Sequence, residues 1–93
     1  VKLLSNNADL YQYLQFLSKT LEDRHAKELG EAVDHASRTA AGNISTEFLG
    51  ESRIALRRLI KEEHGILTNQ EREDVKNVLS QIDGAFDLKK YRA

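Results

Sequence analysis

Leu10-Tyr11-Gln12-Tyr13-Leu14-Gln15-Phe16-Leu17-Ser18-Lys19-Thr20-Leu21 runs into Glu22-Asp23-Arg24-His25 and then into Ala26-Lys27-Glu28-Leu29. How that junction is read decides the fold. Leu10, Tyr13, Leu14, Leu17 and Leu21 recur at intervals of three and four residues, which places them on one side of a helix. A second stripe of the same period follows at Ala26, Leu29, Ala32, Val33, Ala36 and Ala40. The two stripes form either one rod or two. The tetrapeptide between them is wholly polar, and Asp23 suits the cap of a following helix. A helix through both stripes would also be far longer than the usual three or four turns. The junction therefore predicts a break and two packed helices. The alanine-rich second stripe predicts a close neighbour, because short side chains let helix axes approach.

Working outward, Asn7 is a candidate N-cap for the first helix, with Asp9 in its first turn favoured by the helix dipole. Tyr11 and Phe16 lie off the leucine stripe. This predicts a first helix placed centrally and touching the others, with Phe16→Ala costing about 3 kcal/mol or more. The alternative is a flank that faces a second subunit. Ala41-Gly42-Asn43-Ile44-Ser45 reads as a loop, Ser45 as the next cap, and Ile44 with Leu49 as a hydrophobic staple. The third helix then buries Phe48, Leu49, Ala55, Leu56, Leu59 and Ile60. It stops near Gly65, which suits a left-handed C-terminal position, with Ile66 folding back toward Ile60. Thr68-Asn69-Gln70-Glu71 has the form of a capping box, the strongest local signal in the chain. It opens a fourth helix that buries Val75, Val78, Leu79, Ile82 and Phe86, with Gly84 weakening its end.

The expected fold is all-α. One compact domain spans residues 1–93, with four helices near 7–22, 24–40, 46–64 and 69–86 arranged as an antiparallel bundle or an irregular helical array. Residues 88–93 are expected to form a short tail carrying Lys89, Lys90 and Arg92. A chain of 93 residues without proline, and with 40% hydrophobic and 31% charged residues, agrees with one helical domain.

Composition excludes several functions. There is no cysteine, hence no disulfide framework, thiolate metal site or thiol nucleophile. Apolar runs are two or three residues long, whereas a membrane helix needs about 20, so no membrane span is expected. Val1–Asn7 lacks the apolar core of a signal peptide, and a cytoplasmic location is the expectation. The chain starts at Val1 rather than Met and reads as a fragment or a processed chain. The 14 basic and 15 acidic residues are spread evenly, so there is no basic arm or acidic tail.

Motifs for chemistry are scarce. Glu22-x-x-His25 has the spacing of a carboxylate–histidine metal pair, but no second copy exists, and the segment falls at a turn. His35 pairs with Glu31, and Arg38 with Asp34, at i,i+4 spacing. His64 lies just before Gly65, where a cation suits the helix end. No zinc-binding His-Glu-x-x-His, phosphate-cradling glycine loop or nucleophile elbow is present. No cofactor, metal ligand or catalytic residue is therefore assigned, and an enzyme is not expected. Leu67–Glu73 is superficially similar to the opening of some DNA-binding helix-turn-helix domains. Only seven residues follow Phe86, too few for a recognition helix, and the capping box accounts for the same residues.

One surface stands out. At about 100° per residue, the face of the third helix opposite Phe48 and Leu56 carries Gly50, Arg53, Ile54, Arg57, Arg58 and Lys61. Ile54 is expected to project among four basic side chains, with Gly50 one turn before it. The pattern suggests a small concave apolar spot with a cationic rim, suited to a partner's carboxylates. The competing reading is that the N-terminal tail or the first helix covers Ile54. The functional expectation is a non-catalytic interaction or regulatory module that binds an unidentified protein partner or a second copy of itself as a homodimer. An immunity protein or antitoxin that plugs an enzyme belongs to the same class. Nucleic-acid binding through Arg53, Arg57, Arg58 and Lys61 is the alternative, weakened by Glu51, Glu62 and Glu63 on the same helix.

Overall fold

The computed structural model describes residues 7–41 and 45–92, with side chains described over 7–40 and 46–85. Four helices follow in order: α1 (Asn7–Asp23), α2 (Lys27–Arg38), α3 (Ser45–Glu62) and α4 (Asn69–Arg92). A single 3-10 turn, Thr39–Ala41, extends α2, and no strand occurs among the described residues. The all-α four-helix reading holds.

The break after Leu21 is real, and its mechanism lies in the backbone. His25 adopts φ +65°. Its left-handed turn lets the Ala26 N–H reach the Leu21 carbonyl at 2.8 Å, while the His25 N–H reaches that of Glu22 at 3.0 Å. This pair of bonds is a Schellman motif, which satisfies carbonyls that the ending helix leaves open. The cap of α2 differs from expectation. It is Ala26, without any side-chain cap bond, so Asp23 ends α1 rather than starting α2. The Schellman closure takes up the residues an aspartate cap would have needed.

α1 and α2 form a tight antiparallel hairpin. Gly30 is buried against α1, and a Cβ built there would lie 3.1 Å from the Ser18 carbonyl oxygen. The Ser18 hydroxyl donates to the Gly30 carbonyl at 2.7 Å. Further along, the Gln15 side-chain amide donates to Asp34 at 2.9 Å and to the Ser37 hydroxyl at 2.6 Å. Arg38 also donates to Asp34, at 2.9 Å. The Gln15 amide and then Arg38 hold the Asp34 carboxyl below the usual aspartate range.

The core is built from one face of every helix. Leu14, Leu21, Val33, Leu56, Leu59, Val75 and Val78 are all fully buried, and Phe48 is 1% exposed. Leu49, Ile60 and Leu79 are half-buried at its edge. Three serines fill small gaps in this interior: Ser18 and Ser37, bonded as above, and Ser52, whose hydroxyl finds no partner. Sequence patterning does not flag such serines, because their polarity hides their small size. The side chain of Phe86 and the proposed Ile44–Ser45 cap and staple lie outside the described residues.

The α3–α4 corner keeps the predicted glycine turn and adds a part the sequence reading lacks. Gly65 has φ +88°, and His64 is also left-handed at φ +44°. Glu63 is 4% exposed. Its carboxylate accepts hydrogen bonds from the Gly65 and Leu67 N–H groups at 2.9 and 3.0 Å and from Arg72 Nε at 2.6 Å. Leu67 is thereby turned into the core, while Ile66 stays half-buried. The capping box forms as expected. The Glu71 N–H donates to the Thr68 hydroxyl at 3.1 Å, and the Thr68 N–H donates to the Glu71 carboxylate at 2.8 Å. Arg24, just past the end of α1, forks onto the same carboxylate and donates to the Ile66 carbonyl at 3.1 Å, which ties the end of α1 to the start of α4.

α4 runs on to Arg92. The expected tail at 88–93 is therefore helical through Arg92. A solvent-facing glycine at Gly84 costs a helix only about 1 kcal/mol relative to alanine, and no proline follows to stop it.

Candidate functional site

The surface expected from the sequence lies on α3, with Arg53 half-buried at its edge. Ile54 is 63% exposed. Phe48, Ser52, Ala55, Leu56 and Leu59 are buried on the inner side. At about 100° per residue, that leaves Ile54 at the crest. Gly50 is half-buried one turn before it, and Arg57, Arg58 and Lys61 are exposed after it. The first helix does not cover Ile54, and the N-terminal tail lies outside the described residues.

The basic rim is divided rather than continuous. Arg53 Nη1 and Arg57 Nη2 both approach Asp83 Oδ1 on α4, each at 3.4 Å. Arg58 Nε pairs with Glu62 at 3.1 Å. Surface pairs of this kind contribute about 0–1 kcal/mol, so they hold the side chains loosely. Asp83 has no counterpart in the sequence reading, since its facing toward α3 depends on how the helices meet.

Ile54 does not itself sit in a hollow. The concavity lies beside it, between α2 and α3, with a volume of about 440 Å³. Its floor is apolar and small: Ala32, Ala36, Ala55 and the flank of Ile54. Its walls carry Glu28, Glu31 and Glu51 against Arg58 and His35. The rim on this side is thus mainly acidic, the reverse of the cationic rim expected from α3 alone. The difference comes from α2, whose glutamates face the groove once the alanine stripe packs against α3.

Phe16 and Tyr11 require a correction. Phe16 is 65% exposed and Tyr11 40% exposed, so α1 is not a central helix covered on all sides. Leu10, Leu14, Leu17 and Leu21, with Ser18, supply its buried face. Tyr13, half-buried, turns toward α4, where burial and then Asp74 and Glu71 raise the pKa of its phenol. Phe16→Ala should therefore change the unfolding free energy by less than about 1 kcal/mol, not 3, as measured by urea titration. A larger loss would mean that Phe16 is covered in solution.

The remaining candidates stay apart. His25 and His64 sit exposed at two helix ends, and His35 lines the groove with Glu31. Glu22 is exposed at the end of α1. Among the described residues, no group of three or more His, Asp or Glu side chains could hold a metal ion. No helix of the described residues is long and apolar enough to cross a membrane. Comparison with known proteins finds no matching family model, no similar curated protein and no similar solved structure.

Proposed function

We propose that this chain is a non-catalytic interaction module whose contact surface is the outward face of α3. The observation that carries the reading is Ile54, 63% exposed in the middle of a helix face. Covering an isoleucine side chain fully is worth about 1.5–3 kcal/mol, which a partner gains and the free chain forgoes. Arg57, Arg58 and Lys61 flank it with charge, the pattern of an apolar centre in a polar rim.

Nucleic-acid binding through the same arginines finds less support. Each of Arg53, Arg57 and Arg58 has a carboxylate within 3.4 Å, so the positive field that phosphates need is reduced. An inhibitor that plugs an enzyme would use the α3 face in the same way as any other binding module.

Ile54→Asp combined with Arg57→Glu tests the reading. Chemical cross-linking and capture with the wild-type chain as bait should give products that this double variant loses, while its helical circular dichroism and urea midpoint stay close to wild type. Identical products from both chains would show that α3 is not the contact face.

A further inference from the structure

The outward stripe of α3 has a symmetry that selects its partner. Glu47, Gly50, Glu51, Ile54, Arg57, Arg58 and Lys61 recur at three- and four-residue intervals, the spacing of a helix–helix seam. Ile54 is the midpoint. Along its centre the acids Glu47 and Glu51 lie before it and the bases Arg57, Arg58 and Lys61 after it, while Arg53 and Glu62 lie at its two edges, paired with Asp83 and Arg58. The stripe is antisymmetric in charge about one apolar residue.

We infer that the occupant of this face is a second copy of the chain, packed with its α3 antiparallel and a twofold axis passing at Ile54. This rests on the reading of α3 as a contact surface and names its partner. A twofold axis perpendicular to two antiparallel helices reverses direction while keeping like flanks together. Ile54 then meets Ile54 of the partner subunit. Glu51 and Arg58 both lean toward α2, since both line the groove there. Glu51 therefore faces Arg58 of the partner subunit, and Glu47 faces Lys61 of the partner subunit. By symmetry each of these pairs occurs twice. Gly50 lies opposite Arg57 of the partner subunit and leaves room for that long side chain.

The groove fits the same arrangement. The guanidinium of the partner's Arg58 arrives over the side of the groove walled by Glu28, Glu31 and Glu51, three carboxylates that the chain's own Arg58 and His35 do not balance. A parallel pairing would set acid against acid and base against base, and a one-turn slip would separate the two isoleucines. Charge and apolar contact select the same register, the condition for a specific rather than an adhesive contact.

Sedimentation equilibrium of the full chain over a concentration series tests this. The wild type should show a monomer–dimer equilibrium that weakens as salt is raised, because the cross-pairs are screened. Ile54→Asp sets two carboxylates on the axis and should raise the dimer dissociation constant by about tenfold or more. Glu51→Lys alone and Arg58→Glu alone should each weaken the dimer. An equimolar mixture of those two variants should restore association to near the wild-type level, since each lysine at 51 then faces a glutamate at 58. Circular dichroism confirms that every variant remains helical. A wild type that stays monomeric overturns the inference while leaving the broader reading to the capture experiment. A dimer indifferent to Ile54→Asp, or a mixture that fails to recover, overturns it by placing the interface elsewhere.

Discussion

Gly30→Leu should destabilise the domain by about 3 kcal/mol or more, at the upper end of what overpacking costs. Gly30 is a point of close approach in the α1–α2 hairpin. A Cβ there meets Glu22 Cγ at 2.9 Å, the Ser18 carbonyl oxygen at 3.1 Å and the Glu22 backbone nitrogen at 3.4 Å. Two of these atoms belong to the α1 backbone and cannot turn away as a side-chain tip can. Adding a whole leucine forces the helices apart, lengthens the 2.7 Å bond from Ser18 to the Gly30 carbonyl, and opens the leucine-lined seam beneath. Gly30→Ala should cost much less, because the helix-forming gain of about 1 kcal/mol offsets part of the clash. Gly84→Ala provides the contrast. A Cβ there meets nothing within 4 Å, so the same change should gain about 0.5–1 kcal/mol. Urea unfolding followed by circular dichroism measures all three. A Gly30→Leu loss below about 1 kcal/mol would mean that the hairpin is looser than its geometry indicates.

Glu63→Ala should cost about 2–3 kcal/mol, the loss of a hydrogen-bonded charge that organises a turn. Three donors converge on this carboxylate: Arg72 and the Gly65 and Leu67 N–H groups. Without it the Arg72 guanidinium keeps only the Leu67 carbonyl at 3.2 Å and the Asn69 side chain at 2.9 Å, and Leu67 loses the bond that turns it inward. The Arg72 side chain beside it stays 26% exposed, so water can reach the gap and the cost stays below that of a deeply buried pair. The same residue predicts an acid response. The bond from Arg72, aided by the two N–H groups, lowers the Glu63 pKa from 4.5 to about 2 against the pull of desolvation. Glu71 is likewise lowered from 4.5 to about 2, by Arg24 and then by the Thr68 N–H. A folded-state value below the unfolded one means that the unfolded chain takes up protons first. The stabilisation from both groups is therefore full above about pH 5 and is lost as pH falls through the interval from 4.5 to about 2. Glu63→Gln should flatten this acid limb while lowering stability at neutral pH. Parallel wild-type and Glu63→Gln stability curves across that interval would remove Glu63 from the account.

Much of the fold is legible in local pattern. The leucine stripe from Leu10 to Leu21, the polar break after it, the left-handed Gly65 and the Thr68–Glu71 box are each settled within a few residues of chain. What is not legible depends on which faces meet. Phe16 reads as core on a helical wheel, but nothing in the wheel says whether a neighbour lies on that side, and none of the described residues covers it. Gly30 and Ser18 are ordinary residues until the hairpin brings them together. Glu63 reads as one more surface charge beside Glu62, and only the turn at His64 and Gly65 folds Leu67 and Arg72 around it. The same division holds for the candidate surface. The exposure of Ile54 follows from α3 alone. The acidic wall of Glu28 and Glu31 and the hold of Asp83 on Arg53 and Arg57 come from α2 and α4, and they change the rim from uniformly basic to two-signed.

The central claim is that α3, and not the exposed aromatic flank of α1, is where this chain meets a second copy of itself. Backbone amide shifts of the isotopically labelled chain, followed by NMR as its concentration is raised, test it residue by residue. Progressive shifts are expected at Gly50, Glu51, Ile54 and Arg58, with Tyr11 and Phe16 unmoved. Shifts centred on Tyr11 and Phe16, or a spectrum that does not change with concentration, would contradict it.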